Sequence, residues 1–211
     1  MKKSTGSRIT FFGVCIFIVL YFIAAYLYPG GSQADRTAKD FSWLNNYWCD
    51  LLSEQAKNGQ HNAARQIAIT SWLILSFSLL IFWYFLPTLF AVNDTVKKTI
   101  RFCGVAAMGI SSLLFTQLHD VVIHSASLLG FIALCGTFTG LYKSGYYRFF
   151  YAGLLCIALM CLNYFIMMSN TFISFLPLIQ KITFVIVLGW ILFINRELYR
   201  SDPEKSNKIF Y

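Results

Sequence analysis

Six stretches of the chain, 9–28, 67–90, 100–118, 121–142, 149–168 and 172–195, run for about twenty residues each with very few charged side chains, the length a helix needs to cross a bilayer. Inside hydrocarbon every backbone N–H and C=O needs a partner within the protein, so only helices and closed barrels cross it. Apolar runs of this length read as helices. The expectation is an all-α integral membrane protein, a six-helix bundle forming a single domain over residues 1–211, with one long hydrophilic connection at 29–66. Composition agrees: 57% of the 211 residues are hydrophobic and 12% charged, against roughly a quarter charged in soluble domains. The first run follows Lys2, Lys3 and Arg8 as the core of a signal peptide would. It is long for one, however, and ends in Tyr28-Pro29-Gly30-Gly31 without a small-residue cleavage pattern. It reads as a retained span.

Basic residues near span ends set the orientation. With the N-terminus in the cytoplasm, Lys2, Lys3, Arg8, Lys97, Lys98, Arg101, Lys143, Arg148, Arg196, Arg200, Lys205 and Lys208 fall on that side with only four acids, Asp94, Glu197, Asp202 and Glu204. The opposite side balances five basic against five acidic residues, so the net charge of +8 sits on the cytoplasmic face. This predicts a multi-pass protein of the cell (inner) membrane with both termini cytoplasmic. Its basic surface suits membrane lipids with anionic headgroups rather than nucleic acid.

The six cysteines are Cys15, Cys49, Cys103, Cys135, Cys156 and Cys161, and none belongs to a CxxC pair. Buried free thiols act as small hydrophobes, so no disulfide or cysteine metal site is expected. Gly136 and Gly140 form a GxxxG pattern that lets a second helix come close. Intramolecular packing is the first reading of it, and a homodimer through Gly136 and Gly140 the second. The short connections after the third and fifth apolar runs make two antiparallel hairpins.

Within 29–66, Phe41, Leu44, Tyr47, Trp48, Leu51 and Leu52 share one side of a helix drawn at about 100° per residue, with Ser42, Asn46, Cys49 and Asp50 opposite. This predicts an extracytoplasmic amphipathic interfacial helix between spans one and two. Trp43, Tyr47 and Trp48 suit headgroup depth, where a ring buries its body and keeps its polar edge wet.

Ionisable groups in hydrocarbon are costly and point to function. The stretch Leu118-His119-Asp120-Val121-Val122-Ile123-His124 holds three of them at an expected membrane face, and Asp120 and His124, four apart, share a helix face. Lys181 lies deep in the sixth run, beside Gln180 and one turn after Pro177. A lysine there snorkels, loses its proton or pairs with a carboxylate, and Asp50 and Asp120 are the candidates. The expected ligand-binding set is Asn46, Asp50, Asp120, His124, Gln180 and Lys181, an outward-facing polar pocket for a lipid headgroup or small ligand, with no cofactor. An alternative is a metal-dependent intramembrane lipid hydrolase in which His119, Asp120 and His124 hold Zn²⁺ and activate water. A second alternative is a purely structural cluster.

The run Tyr28-Pro29-Gly30-Gly31-Ser32, then Asp35-Arg36, Phe41-Ser42-Trp43, Asn45 to Leu52 and Gly59-Gln60-His61-Asn62, resembles a family of bacterial six-span membrane proteins grouped as domain of unknown function 998. Thr116, Asp120 and His124 match that family's Thr-x-x-x-Asp-x-x-x-His arrangement. The resemblance covers nearly the whole chain and implies a six-span fold and a membrane location, without an activity. Cys49 and His61 stand where the family often has Ser and Pro, which argues against either as an essential ligand. A more distant similarity to the membrane hydrolases that include alkaline ceramidases implies zinc chemistry, although those proteins have seven spans and this chain has no HxxxH pair.

Overall fold

Six α-helices follow one another with no strand among the described residues: α1 (Lys3–Tyr26), α2 (Arg65–Phe85), α3 (Asp94–Ser111), α4 (His119–Lys143), α5 (Tyr147–Ser169) and α6 (Leu176–Arg200). The structure, a computed structural model, describes residues 1–202, with the backbone alone at His119. The tail residues Glu204, Lys205 and Lys208 and the His119 side chain, all invoked above, lie outside the described residues.

Five helices are long and apolar enough to cross a membrane. These are α1, α4 and α5, together with α2 and α6 when each includes an adjoining 3₁₀ turn, Leu86–Leu89 after α2 and Ile173–Phe175 before α6. The remaining helix departs from the expected continuous span at 100–118. It begins at Asp94, capped by the Asn93 side chain accepting from Val96 N–H at 2.9 Å, and its first turns carry Lys97, Lys98 and Arg101. It stops at Ser111, and residues 112–118 form turns. There Thr116 Oγ donates to the Leu113 carbonyl at 2.8 Å and accepts from Leu118 N–H at 3.4 Å, local bonds that compete with helix continuation.

The residues fall into two compact units. One comprises Met1–Cys15, Leu73–Gly153 and residues 190–202; the other comprises Ile16–Trp72 and Leu154–Gly189.

In the first unit, small and hydroxyl residues let helices approach closely. Thr10 Oγ1 lies 3.1 Å from the carbonyls of both Gly6 and Ser78, and a Cβ on Gly13 would fall 1.7 Å from Ser78 Oγ, so α1 and α2 meet with almost no side chain between them. Residues at the two ends of the chain clasp reciprocally: Ser7 Oγ donates to the Asn195 carbonyl at 2.7 Å while Asn195 Nδ2 donates to the Ser7 carbonyl at 2.9 Å. Ile81, Phe85 and Leu198 are buried together beside this clasp. Trp190 donates its indole N–H to the Phe149 carbonyl at 2.8 Å and stacks on Phe138.

The glycines of the GxxxG pattern serve the same unit. A Cβ on Gly136 would lie 2.6 Å from Ile100, and one on Gly140 would lie 2.4 Å from Phe90, so the close approach that the motif permits is taken up inside the chain. Ile100 beside Gly136, with only the 112–118 turn between α3 and α4, makes these two helices an antiparallel pair.

In the second unit the segment between α1 and α2 folds as an irregular layer. The interfacial helix expected over 41–52 is replaced by turns at 43–45 and a short 3₁₀ helix at Trp48–Leu52. The cause is chemical. Ser42, Asn45, Asn46 and Asp50 all bond their own neighbourhood: Asn46 Oδ1 accepts from Ser42 N–H at 2.8 Å, Ser42 Oγ accepts from Asn45 N–H at 3.2 Å, and Asp50 Oδ2 accepts from Tyr47 N–H at 2.9 Å. Side chains of this kind draw the backbone away from an α-helix. The layer is fixed to the end of α1 at Gly30 and Gly31, both at positive φ and both without room for a Cβ against the backbone of residues 38–39 and 57–58.

Candidate functional site

Lys181 is the second of the two ionisable features that the sequence marks as anomalous in hydrocarbon, after the Leu118–His124 stretch, and α6 places it 7% exposed. Pro177, one turn earlier, has no N–H to leave unpaired at the helix start, and its carbonyl accepts from Lys181 Nζ at 3.1 Å. The ammonium also donates to the backbone carbonyl of Asn46 and lies 5.6 Å from the centre of the Phe41 ring. Carbonyl oxygens and an aromatic face are the partners that keep a buried cation charged when no carboxylate touches it.

Asn46, with no exposed surface, links this cation to an anion. Its side-chain amide donates to Asp50 Oδ2 at 3.0 Å and to the Gly31 carbonyl at 2.9 Å. Asp50 is 3% exposed and is met by Lys57 Nζ at 3.4 Å. Asn46, Asp50 and Lys181 therefore form one connected group, as the sequence suggested. Lys57, as the ion-pair partner of Asp50, was not foreseen.

Asn62 was missed as well. Its amide donates to the carbonyls of Leu51 and Ser53 at 3.0 and 2.9 Å, and its Oδ1 accepts from Ala64 N–H at 3.1 Å, fastening the strand-like return of the segment beneath the Asp50 turn. Asparagine in a polar loop carries no sequence signal for such a role.

Trp48 does not keep its polar edge wet. Its ring is packed among Phe17, Tyr21 and Phe184, with centroids 6.1, 3.7 and 4.8 Å away, and its Nε1 is buried without an acceptor among the described residues. Gln180 Oε1 and Asn163 Oδ1 are buried in the same unit and also lack a donor among the described residues. Gln180 shares a face of α6 with Thr183 and Phe184, three and four residues on. Thr183 Oγ1 accepts from Asn163 Nδ2 at 2.7 Å, and Phe184 packs on Trp48. Beside the group, burial pushes the Cys49 thiol up, and the Asp50 carboxylate pushes it further the same way. The same two causes, in that order, raise the Tyr47 phenol. Neither group is an activated nucleophile.

Asp120 and His124 belong to the other unit, on the first turns of α4, and both are exposed. His124 Nδ1 lies 2.7 Å from the Asp120 backbone carbonyl, the i to i−4 geometry of a helical histidine closing on its own backbone. Among the described residues no three His, Cys, Asp or Glu side chains converge in a way that could hold a metal ion. The third member of the zinc set read from the sequence, His119, has its side chain outside the described residues.

No family model, curated protein or solved structure matches the chain.

Proposed function

We propose that the chain is a six-pass protein of the cell (inner) membrane with cytoplasmic termini, and that Asn46, Asp50, Gln180 and Lys181 receive a lipid headgroup or a small polar ligand without transforming it. The antiparallel pairing of α3 with α4 supports a sixth crossing, and the basic residues of α3 at its Asn93 end support that end being cytoplasmic.

One observation carries the binding reading. Gln180 Oε1 and Trp48 Nε1 are a buried acceptor and a buried donor without a partner among the described residues, one residue from Lys181 and two from Asp50 along the chain. An unpaired buried polar atom costs about 1–3 kcal/mol, and a ligand bearing hydroxyl or amide groups answers both.

Native mass spectrometry of the full chain, purified in mild detergent with added phosphatidylethanolamine and phosphatidylglycerol, tests this. The wild type should retain lipid at defined stoichiometry, and Gln180→Leu should lose it while keeping its melting temperature. Equal lipid retention by wild type and Gln180→Leu would overturn the reading.

A further inference from the structure

The turn at 43–45 presents two apolar side chains outward, Trp43 at 42% exposure and Leu44 at 59%. It is not a loose tip. Ser42 and Asn45 bond one another through backbone and side chain, Asn46 N–H donates to the Ser42 carbonyl at 2.9 Å, and Asn46 Oδ1 accepts from Ser42 N–H, so both flanks of Trp43-Leu44 are tied. A turn held this firmly keeps a tryptophan and a leucine outermost together, a small apolar tip continuous with the exposed Phe22.

The position of the Trp43 ring identifies what covers that tip. Its centroid lies 5.1 Å from that of Phe22, which is itself 57% exposed on the flank of α1 that also shows Ile18, Val19 and Tyr26. If α1 crosses the bilayer, that flank is covered by acyl chains, and Trp43 continues it. The 24 residues of α1 measure about 36 Å at 1.5 Å each, against about 30 Å of hydrocarbon. Phe22, four residues before the end of α1, lies about 6 Å below that end, at the boundary between hydrocarbon and headgroups. Indole is the side chain best suited to that boundary.

The neighbouring charges at 33–40 cancel, Asp35 and Asp40 against Arg36 and Lys39, so the attraction is apolar rather than electrostatic. On the reading that α1 is a span, we infer that Trp43 and Leu44 form a wedge inserted at the hydrocarbon–headgroup boundary of the adjoining leaflet. The wedge is joined to the polar group: Trp43 packs edge-on against Phe41 at 5.2 Å, and Phe41 faces the Lys181 ammonium. Insertion therefore bears directly on the residue that fastens the layer to α6.

The full chain in phosphatidylcholine nanodiscs provides the test, with wild type and Trp43→Phe compared so that the emission difference reports Trp43. Doxyl groups placed near the headgroup should quench that difference roughly twofold more than doxyl groups at mid-chain. Aqueous iodide should leave it unquenched. Replacing part of the lipid by phosphatidylglycerol, or raising salt, should change nothing. Leu44→Glu should lift the tip and expose Trp43 to iodide, a readout that stands even if Trp43→Phe fails to fold. Iodide quenching in the wild type would place the tip in water. Quenching by neither probe would place it against protein, a second copy included. Either result overturns the wedge.

Discussion

Lys181 donates to the backbone carbonyl of Asn46, 135 residues earlier in the chain, and through the Asn46 amide its charge is connected to Asp50. A lysine in an apolar helix thus finds its main partner in a main-chain atom of a loop rather than in a carboxylate. The fold of the loop and the charge of the helix require each other.

Replacing Lys181 by Met should uncouple them. The Asn46 carbonyl would stay buried without its ammonium donor, a loss of about 1–3 kcal/mol. Thermal unfolding in detergent should show the drop, and limited proteolysis should show new cleavage within 29–64. Lys181→Arg keeps the charge in a longer, forked group and should restore part of the stability. A Lys181→Met protein as stable and as protease-resistant as wild type would remove the fastening role.

Asn62 should matter nearly as much, although its position in a polar loop gives no hint of it. In Asn62→Ala the Leu51 and Ser53 carbonyls lose their donor and Ala64 N–H its acceptor. A loss of about 1–3 kcal/mol is expected. Hydrogen exchange should rise across 50–64 while the amides of α3 and α4 keep wild-type protection.

These two residues show where sequence is legible and where it is not. The long apolar helices can be read because solvation by lipid imposes length and composition residue by residue, and Lys181 stands out against that background. Its partner cannot be read, since a backbone carbonyl is present at every position and leaves no trace in residue type. The stretch 41–52 misled for a related reason. Its rings and leucines fall at helical spacing, but Ser42, Asn45, Asn46 and Asp50 can each outbid the helical bond locally, and four such residues together outweigh periodicity. In α3 the apolar residues were legible, while the stop at Ser111 depends on hydroxyl-to-backbone bonds around Thr116.

Gly140 and Gly130 separate intramolecular packing from dimerisation. A side chain at Gly140 meets the Phe90 ring at 2.4 Å, whereas one at Gly130 meets nothing within 4 Å. Gly140→Leu should lower stability by about 1–3 kcal/mol through overpacking, and Gly130→Leu should leave the melting temperature unchanged. Light scattering in detergent should give one and the same mass for wild type and both variants. A mass that halves in Gly140→Leu alone would assign the glycine to a contact between copies.

Cys49 provides a signature in pH. Burial, reinforced by Asp50, raises its folded-state pKa above the ordinary thiol value of 9.0, so the folded protein holds that proton more tightly than the unfolded chain does. The resulting stability is fully present below the ordinary value and is lost as pH rises through the folded one. The Tyr47 phenol, raised from 10.0 by burial and by Asp50, acts in the same direction at higher pH. The melting temperature should therefore be flat through neutral pH and fall from about pH 9 upward. Cys49→Ser cannot ionise in this range and should remove the early part of that fall, leaving the later part to Tyr47 and other groups. Maleimide should react with Cys49 more slowly than with a cysteine placed at exposed Gln33, in proportion to its smaller thiolate fraction. An alkaline profile identical in wild type and Cys49→Ser would show that the thiol does not contribute.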